Sequence, residues 1–317
     1  MISPISSDFA GAVLVAEGSV DAGLVWHYGD PFSEQRAWAA GRGNVELSNR
    51  GVFTIEGEER LAYLHALTTQ FLTGLAPHSS ALTLSLSPQG FVEHELHLVD
   101  DGVKTWVICE TSTSEALLNY LLKMRFRMQL EIVDVSTDYR VIAQPDSLPH
   151  QDFATYVAPF ANAGREIIVP TESVRDLVMQ APTGAWAYNA MRIAAGVPRQ
   201  DVETDHHTIP LELQWLGIAV HLDKGCYRGQ ETVSKVARMG KPPRRQTLLH
   251  LDGSNDNLPP HLADVTLDGA VVGFVGQSVQ HYELGPIASA VIKRSVALDQ
   301  TLEVDGMRAT QEAVVEV

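Results

Sequence analysis

The 317-residue chain is poor in cysteine: it has two, Cys109 and Cys226. Two thiols give no disulfide framework, and no Cys-x-x-Cys pair occurs. They cannot supply four thiolates to a structural zinc or an iron–sulfur cluster within one chain. Long apolar runs are missing as well; none approaches the roughly 20 residues of a membrane span. The N-terminal stretch has no basic region, and its run Ala-Gly-Ala-Val-Leu-Val-Ala stops at Glu17. That argues against a secretory leader. A reducing, cytoplasmic setting is the expectation. Positive charge is scarce: 23 basic residues stand against 39 acidic ones, a net charge of −16. Such a surface repels nucleic acid and anionic membrane on average, so an anionic partner needs a local basic patch.

One stretch offers that patch. Residues 224–245 read KGCYRGQETVSKVARMGKPPRR, in which seven of 22 residues are basic and Glu231 alone is acidic. Gly225 and Gly229 flank Cys226 and permit close backbone approach or positive φ. Lys224, Arg228 and the start of a helix near Gln230 each favour a thiolate. The local chemistry suits an accessible thiol that meets an anion, a metal or an electrophile. A buried, inert cysteine before a solvated basic helix is the plain alternative.

Hydrophobic residues make up 45% of the chain and charged residues 20%, as in ordinary globular proteins. The length suggests two or three domains. Residues 81–86 alternate leucine with small polar residues, and Ser87-Pro88-Gln89-Gly90 signals a turn into a second strand at 91–99. Further strands are expected at 52–55, 103–109, 130–135, 139–143 and 165–169. Helices are expected at 58–67, 172–180, 185–195 and 230–239, and from a Ser112–Glu115 capping box to Met124. Short turns between neighbouring strands imply antiparallel pairing and an α+β fold. Lys241-Pro242-Pro243-Arg244 cannot continue a helix. Only strand-like runs follow, at 246–251, 263–267, 270–279, 286–291 and 308–315. The expected division is an α+β core of two interleaved subdomains over 1–241 and a small β-barrel over 242–317.

Lys224 to Glu231, K-G-C-Y-x-G-Q-E, resembles the signature of the YgfZ family, the folate-binding branch of the glycine cleavage T-protein superfamily. Other blocks resemble the superfamily in the same order: Leu47–Gly51, Leu64–Gln70, Arg192–Pro198, Ile209–Glu212 and Gly273–Val291. The resemblance implies a three-lobed, cloverleaf-like fold with a central channel for tetrahydrofolate. It implies a role in assembling or repairing iron–sulfur enzymes, with an indirect effect on tRNA modification. Its partners would be folate and iron–sulfur client or assembly proteins. Cys226 would be the functional thiol. Lys224, Gly225, Tyr227, Arg228, Gly229, Gln230, Glu231, Arg192 and Glu212 would serve the folate site. Lys224, Arg228, Lys235, Arg238 and Arg244 would form a basic lip for its glutamate tail, or a contact for an acidic protein or RNA.

One departure bears on activity. The transferases of the superfamily carry Asp-Asp-Leu after the turn, and an aspartate there is the acid/base candidate. Here the segment is Gly90-Phe91-Val92-Glu93-His94-Glu95-Leu96-His97. Glu93, Glu95 and His97 share one strand face: if it lines the pocket, Glu95 contacts the folate or is the weak stand-in for the acid, and if it faces solvent it is the ordinary polar side of a half-buried hairpin. A longer side chain misplaces the carboxylate, and an error near 1 Å costs about 100-fold in rate. This argues against a true aminomethyltransferase, which stays as the alternative. The transferases' pterin-binding acid lies before a Gly-x-Glu-Ile segment; Asn162 to Ile167 has none there. Glu203 is a second candidate to read the pterin. His94 and His97 diverge across the strand, and His206-His207 sits in a loop, so no metal site is expected. Cys109 is expected in the core.

Overall fold

The computed structural model describes residues 11–147 and 153–316. The first ten residues, which open the stretch read as lacking a leader, lie outside the described residues. A two-stranded ribbon comes first, β1 (Val13–Leu14) and β2 (Val25–His27), followed by helix α1 (Pro31–Ala39). The sequence reading missed α1, although Asp30 accepts a hydrogen bond from Ser33 N at 3.0 Å and Pro31 opens the first turn.

The chain continues through β3 (Val45–Glu46), β4 (Arg50–Glu56), α2 (Arg60–Leu67), β5 (Ser79–Leu86), β6 (Val92–Asp100) and β7 (Lys104–Glu110). Then come α3 (Thr111–Met124), β8 (Glu131–Asp134), β9 (Tyr139–Gln144), β10 (Ala154–Val157) and β11 (Arg165–Pro170). They make two antiparallel sheets, β5-β6-β7-β4-β8 and β10-β11-β9-β3. The five-stranded sheet is covered on both faces. Phe53, Ile55, Leu96, Leu98 and Val107 pack with Leu64, Leu117 and Leu121 of α2 and α3. On the other face Leu82, Leu84 and Ile108 join Val141, Ala143 and Ile168 of the second sheet. Burial on both faces is why the leucine alternation of β5 does not leave a solvated side.

Helices α4 (Val174–Gln180), α5 (Ala185–Ala194) and α6 (Gln230–Met239) follow. The third lobe is a closed antiparallel barrel of β12 (Arg244–Leu251), β13 (Asp264–Leu267), β14 (Ala270–His281), β15 (Gly285–Lys293), β16 (Leu302–Val304) and β17 (Met307–Ala313). Closure leaves the barrel without a free edge. The molecule is α+β and three-lobed, two sheet lobes and a barrel. The strands β1, β2, β3 and β10 were not expected from the sequence, and further details differ. The Ser112–Glu115 capping box does not form: α3 starts at Thr111 after Glu110, and Ser112 Oγ donates instead to Asp201 Oδ2 at 2.6 Å. The short strand β16 completes the barrel where no strand was expected.

Candidate functional site

Cys226 is exposed, on the turn that leads into α6. The residues around it brace that turn. Lys224 is 5% exposed, and its ammonium donates to the carbonyls of His65, Thr68 and Gln70. Burial alone lowers its pKa to about 8. Tyr227 is buried beneath the ammonium, its ring centroid 5.2 Å away. Gln230 Nε2 closes the turn onto Lys224 O at 3.3 Å. Gly229 has φ +80°, and a Cβ there would meet Ser87 O at 2.6 Å and Gly90 Cα at 2.8 Å. The motif turn therefore docks on the β5–β6 hairpin through two glycines. Gly225 is different: its surroundings are open within 4 Å.

The basic lip is only partly present. Lys224 points inward and holds backbone, because a buried ammonium needs acceptors. Arg228 pairs with Glu93 at 2.9 Å and lies over Tyr120 at 5.7 Å. Arg244 is clamped between Asp205 and Glu212, at 2.5 and 2.8 Å. Glu212 is fully buried and occupied by that arginine, so it is not free to read a pterin. Lys235, Arg238 and Glu231 remain exposed on α6.

A second constellation lies where the lobes meet. Glu95 and His97 share the inner face of β6, as the strand alternation requires. His97 Nδ1 contacts Glu166 Oε2 of β11 at 2.7 Å, and its Nε2 lies 3.6 Å from Glu95 Oε1. Tyr156 stacks on the imidazole at 4.1 Å. Burial pulls the His97 pKa down, but the Glu166 and Glu95 carboxylates outweigh it and lift it to about 9. Glu95 Oε2 also accepts from Gln200 N at 2.9 Å. Nearby, Glu110 takes Arg50 and Arg199, and Arg199 reaches Asp21 at 2.6 Å. Burial raises the Asp21 carboxyl, yet Arg199, Gln277 and Asn189 bring it to about 2. Arg192, a proposed folate contact, is committed to Glu203 at 3.1 Å and to Gln277 at 2.8 Å. Glu203 is held by Arg192, Arg199 N and Ser289. Asp21, Glu110, Glu166 and Arg199 were missed in the sequence reading. A charged residue inside the apolar run Arg165-Glu166-Ile167-Ile168-Val169 was the available signal.

Among the described residues, no three His, Cys, Asp or Glu side chains converge on a metal-sized point. His206 and His207 are exposed, with His207 edge-on to Phe91 at 5.3 Å.

Aminomethyltransferase T of the glycine cleavage system from Bartonella henselae superposes with a TM-score of 0.79 at 17% identity, covering 96% of this chain and 94% of that one. The chain is 24% identical to tRNA-modifying protein YgfZ of Colwellia psychrerythraea over 298 residues, 86% of this chain and 90% of the relative. This chain has the fold of the glycine cleavage T-protein, and its sequence is similar to a YgfZ protein. The chain is also similar to an aminomethyltransferase of Nostoc sp., 26% identical over 89% of this chain and 85% of its own. A mitochondrial iron–sulfur cluster assembly factor homolog of Mycosarcoma maydis is 24% identical over 63% of this chain and 55% of its own. No family model matches the chain.

The donor chemistry of the Glu95–His97–Glu166 group suits a pterin, whose N–H groups seek carboxylate acceptors. The room does not. The void lined by Arg50, Glu95, His97, Ile108, Cys109 and Glu110 measures about 10 Å³, the space of about one water. In this conformation a pterin does not fit there.

Proposed function

We propose that this protein is an accessory factor in iron–sulfur cluster assembly or repair, acting through Cys226 and affecting tRNA modification indirectly through a client enzyme. The observation that carries the reading is the exposed thiol on a braced turn. A soft thiolate is a ligand for iron–sulfur clusters. One thiolate cannot complete a cluster's coordination, so a client or assembly protein must bring the other ligands. The open space at Gly225 leaves room for such a partner's backbone, and Lys235 and Arg238 favour an acidic one. The relatives named for iron–sulfur assembly and tRNA modification support the same role.

Tetrahydrofolate binding is the finer part of the proposal. It requires the Glu95–His97–Glu166 group to separate from its own partners and open the centre. An anaerobic calorimetric titration of the reduced protein with tetrahydrofolate tests it: saturable one-to-one heat supports the site, and no heat at millimolar ligand removes it. The accessory role has its own test. In cells lacking their resident relative, wild-type protein restores iron–sulfur enzyme activity and Cys226→Ala does not. Full restoration by Cys226→Ala would sink the thiol assignment.

The alternative is folate-dependent aminomethyl transfer, favoured by the 26% identity to the Nostoc enzyme. It needs Glu95 as the acid, and Glu95 is buried and held by Gln200 and His97. Folate-dependent ammonia release from an aminomethyl-lipoyl carrier, lost in Glu95→Gln, would establish it over the accessory role.

A further inference from the structure

The start of β6, where a register shift breaks the strand alternation at Glu93, carries a second site. There a cleft of about 860 Å³ opens between the β5–β6 hairpin, α3, the loop from Gln200 to His206, and His261 of the barrel lobe. His94 forms part of its wall. Glu95 and His97 face the space between the sheets, so His94, on the alternate side, faces α3 and this cleft instead. The side chain is 7% exposed, and its Nδ1 has no hydrogen-bond partner among the described residues. A buried polar atom without a partner costs free energy unless a ligand or a water satisfies it. Burial holds the imidazole neutral at physiological pH, its pKa pulled down to about 4. It therefore keeps both a donor and an acceptor.

The charge around the cleft has one sign. Glu93, Asp201 and Asp205 line it, and Glu212 lies behind Asp205. Two guanidiniums answer these four carboxylates: Arg228 on Glu93, and Arg244 shared by Asp205 and Glu212. Among the described residues Asp201 has neither, and receives only the Ser112 hydroxyl on its Oδ2. His261 adds an acceptor. Its Nδ1 contacts the Gly276 carbonyl at 2.7 Å and so carries the proton, which leaves Nε2 with a lone pair. Phe91 and Tyr120 supply aromatic surface. An anion would meet uncompensated carboxylate here. A planar cation meets a counter-charge, ring faces and open hydrogen-bonding groups.

We infer that this cleft binds a small planar nitrogen cation, of the amidine or protonated heterocycle class, with Asp201 as its counter-charge and His94 as its buried polar contact. The site is separate from the buried charge group on the other side of β6, and it stands or falls independently of the folate proposal.

Three isosteric probes test it on the full-length protein: benzamidinium, benzamide and benzoate. Backbone amide shifts of Ala116, Asp201 and Thr204 are followed by NMR during each titration. Benzamidinium should saturate these shifts in the millimolar range. Benzamide should bind at least about tenfold more weakly, the scale of one partly solvated charge contact, and benzoate should leave the shifts unmoved. Asp201→Asn should bring benzamidinium to the level of benzamide, and His94→Gln should bind better than His94→Phe. The inference is overturned if no probe moves these amides, if benzoate binds as well as benzamidinium, or if Asp201→Asn changes nothing. A matching amide spectrum for each variant away from the cleft shows that it is folded.

Discussion

Gly229 and Gly90 meet backbone to backbone: a Cβ on Gly229 would lie 2.8 Å from Gly90 Cα, and one on Gly90 would lie 3.1 Å from Gly229 O. Both residues have positive φ, +80° and +87°. The contact seats the Cys226 turn on the β5–β6 hairpin. Gly229→Ala adds a left-handed alanine, costing about 1–2 kcal/mol, and drives a methyl into Ser87 O. The expected result is a lower Tm and faster amide exchange across residues 224–230. Gly225→Ala is the control. It meets nothing within 4 Å and should leave Tm unchanged. If Gly225→Ala nevertheless loses function in cells, the loss reports a partner's close approach beside Cys226.

Lys224 provides the second brace. Lys224→Met keeps the apolar stem and leaves the carbonyls of His65, Thr68 and Gln70 without their donor. Leaving a buried polar group unsatisfied costs about 1–3 kcal/mol. Denaturant titration should show a loss of that size, and exchange should rise together at 65–70 and 221–226. Separate responses in the two segments would show that the ammonium does not join them.

The two cysteines should separate cleanly in a thiol assay. Cys226 is exposed; Cys109 is buried between β4 and α3, and burial pushes its thiol up to about 12. An aromatic disulfide reagent at pH 8 should label one thiol quickly and the second only on unfolding. Cys226→Ala should abolish the fast phase and move stability by less than about 0.5 kcal/mol, as for an exposed substitution. A fast phase that survives in Cys226→Ala would place the reactive thiol at Cys109.

These outcomes mark what the sequence could convey. Strand alternation placed Glu93, Glu95 and His97 on one face; the structure joins Glu95 to His97 across 3.6 Å, but a register shift beside Ser85 and Leu86 breaks the alternation and Glu93 turns to Arg228 instead. Alternation could not say that this face is buried against a second sheet, because burial depends on β11, about 70 residues away. For the same reason Lys224 and Arg244 read as a cationic lip. A charge run in sequence gives sign, whereas partners come from distant loops at His65 to Gln70 and Asp205 to Glu212. The motif turn was legible because its two glycines and its helix start are local. The strand β16 was not, because three residues carry too little pattern to outweigh the turns beside them.

The His97–Glu166 contact makes stability depend on pH in a defined direction. Burial lowers the His97 pKa, but Glu166 and Glu95 raise it to about 9 from an ordinary 6.5. A histidine raised on folding contributes stability that is full below about pH 6.5 and lost as pH rises through about 9. Its loss is worth on the order of 3 kcal/mol. Glu166 is displaced the other way: burial raises it, and His97 and Arg50 bring it below its ordinary value. Its contribution is present at neutral pH and lost in acid, as pH falls through the folded-state value. Chemical denaturation from pH 6 to 10 should show the alkaline decline, and His97→Gln should flatten it. A wild-type stability that stays level between pH 6.5 and 9 would show that His97 is neutral in the folded protein.

Arg244 offers the sharpest structural test. It begins the first barrel strand and ties Asp205 and the buried Glu212 to that lobe. Removing one partner of a buried ion pair strands the other charge, at about 3–5 kcal/mol. Arg244→Met should therefore lower stability steeply. Glu212→Gln in the same chain should recover part of the loss, because the stranded charge is gone while the amide can still accept from Ile209 N. Asp205 is half-exposed and keeps the Thr208 hydroxyl and His207 N as donors, so Asp205→Asn should not rescue Arg244→Met. If it does so as well as Glu212→Gln, the cost lies in the clamp as a whole and not in the buried carboxylate.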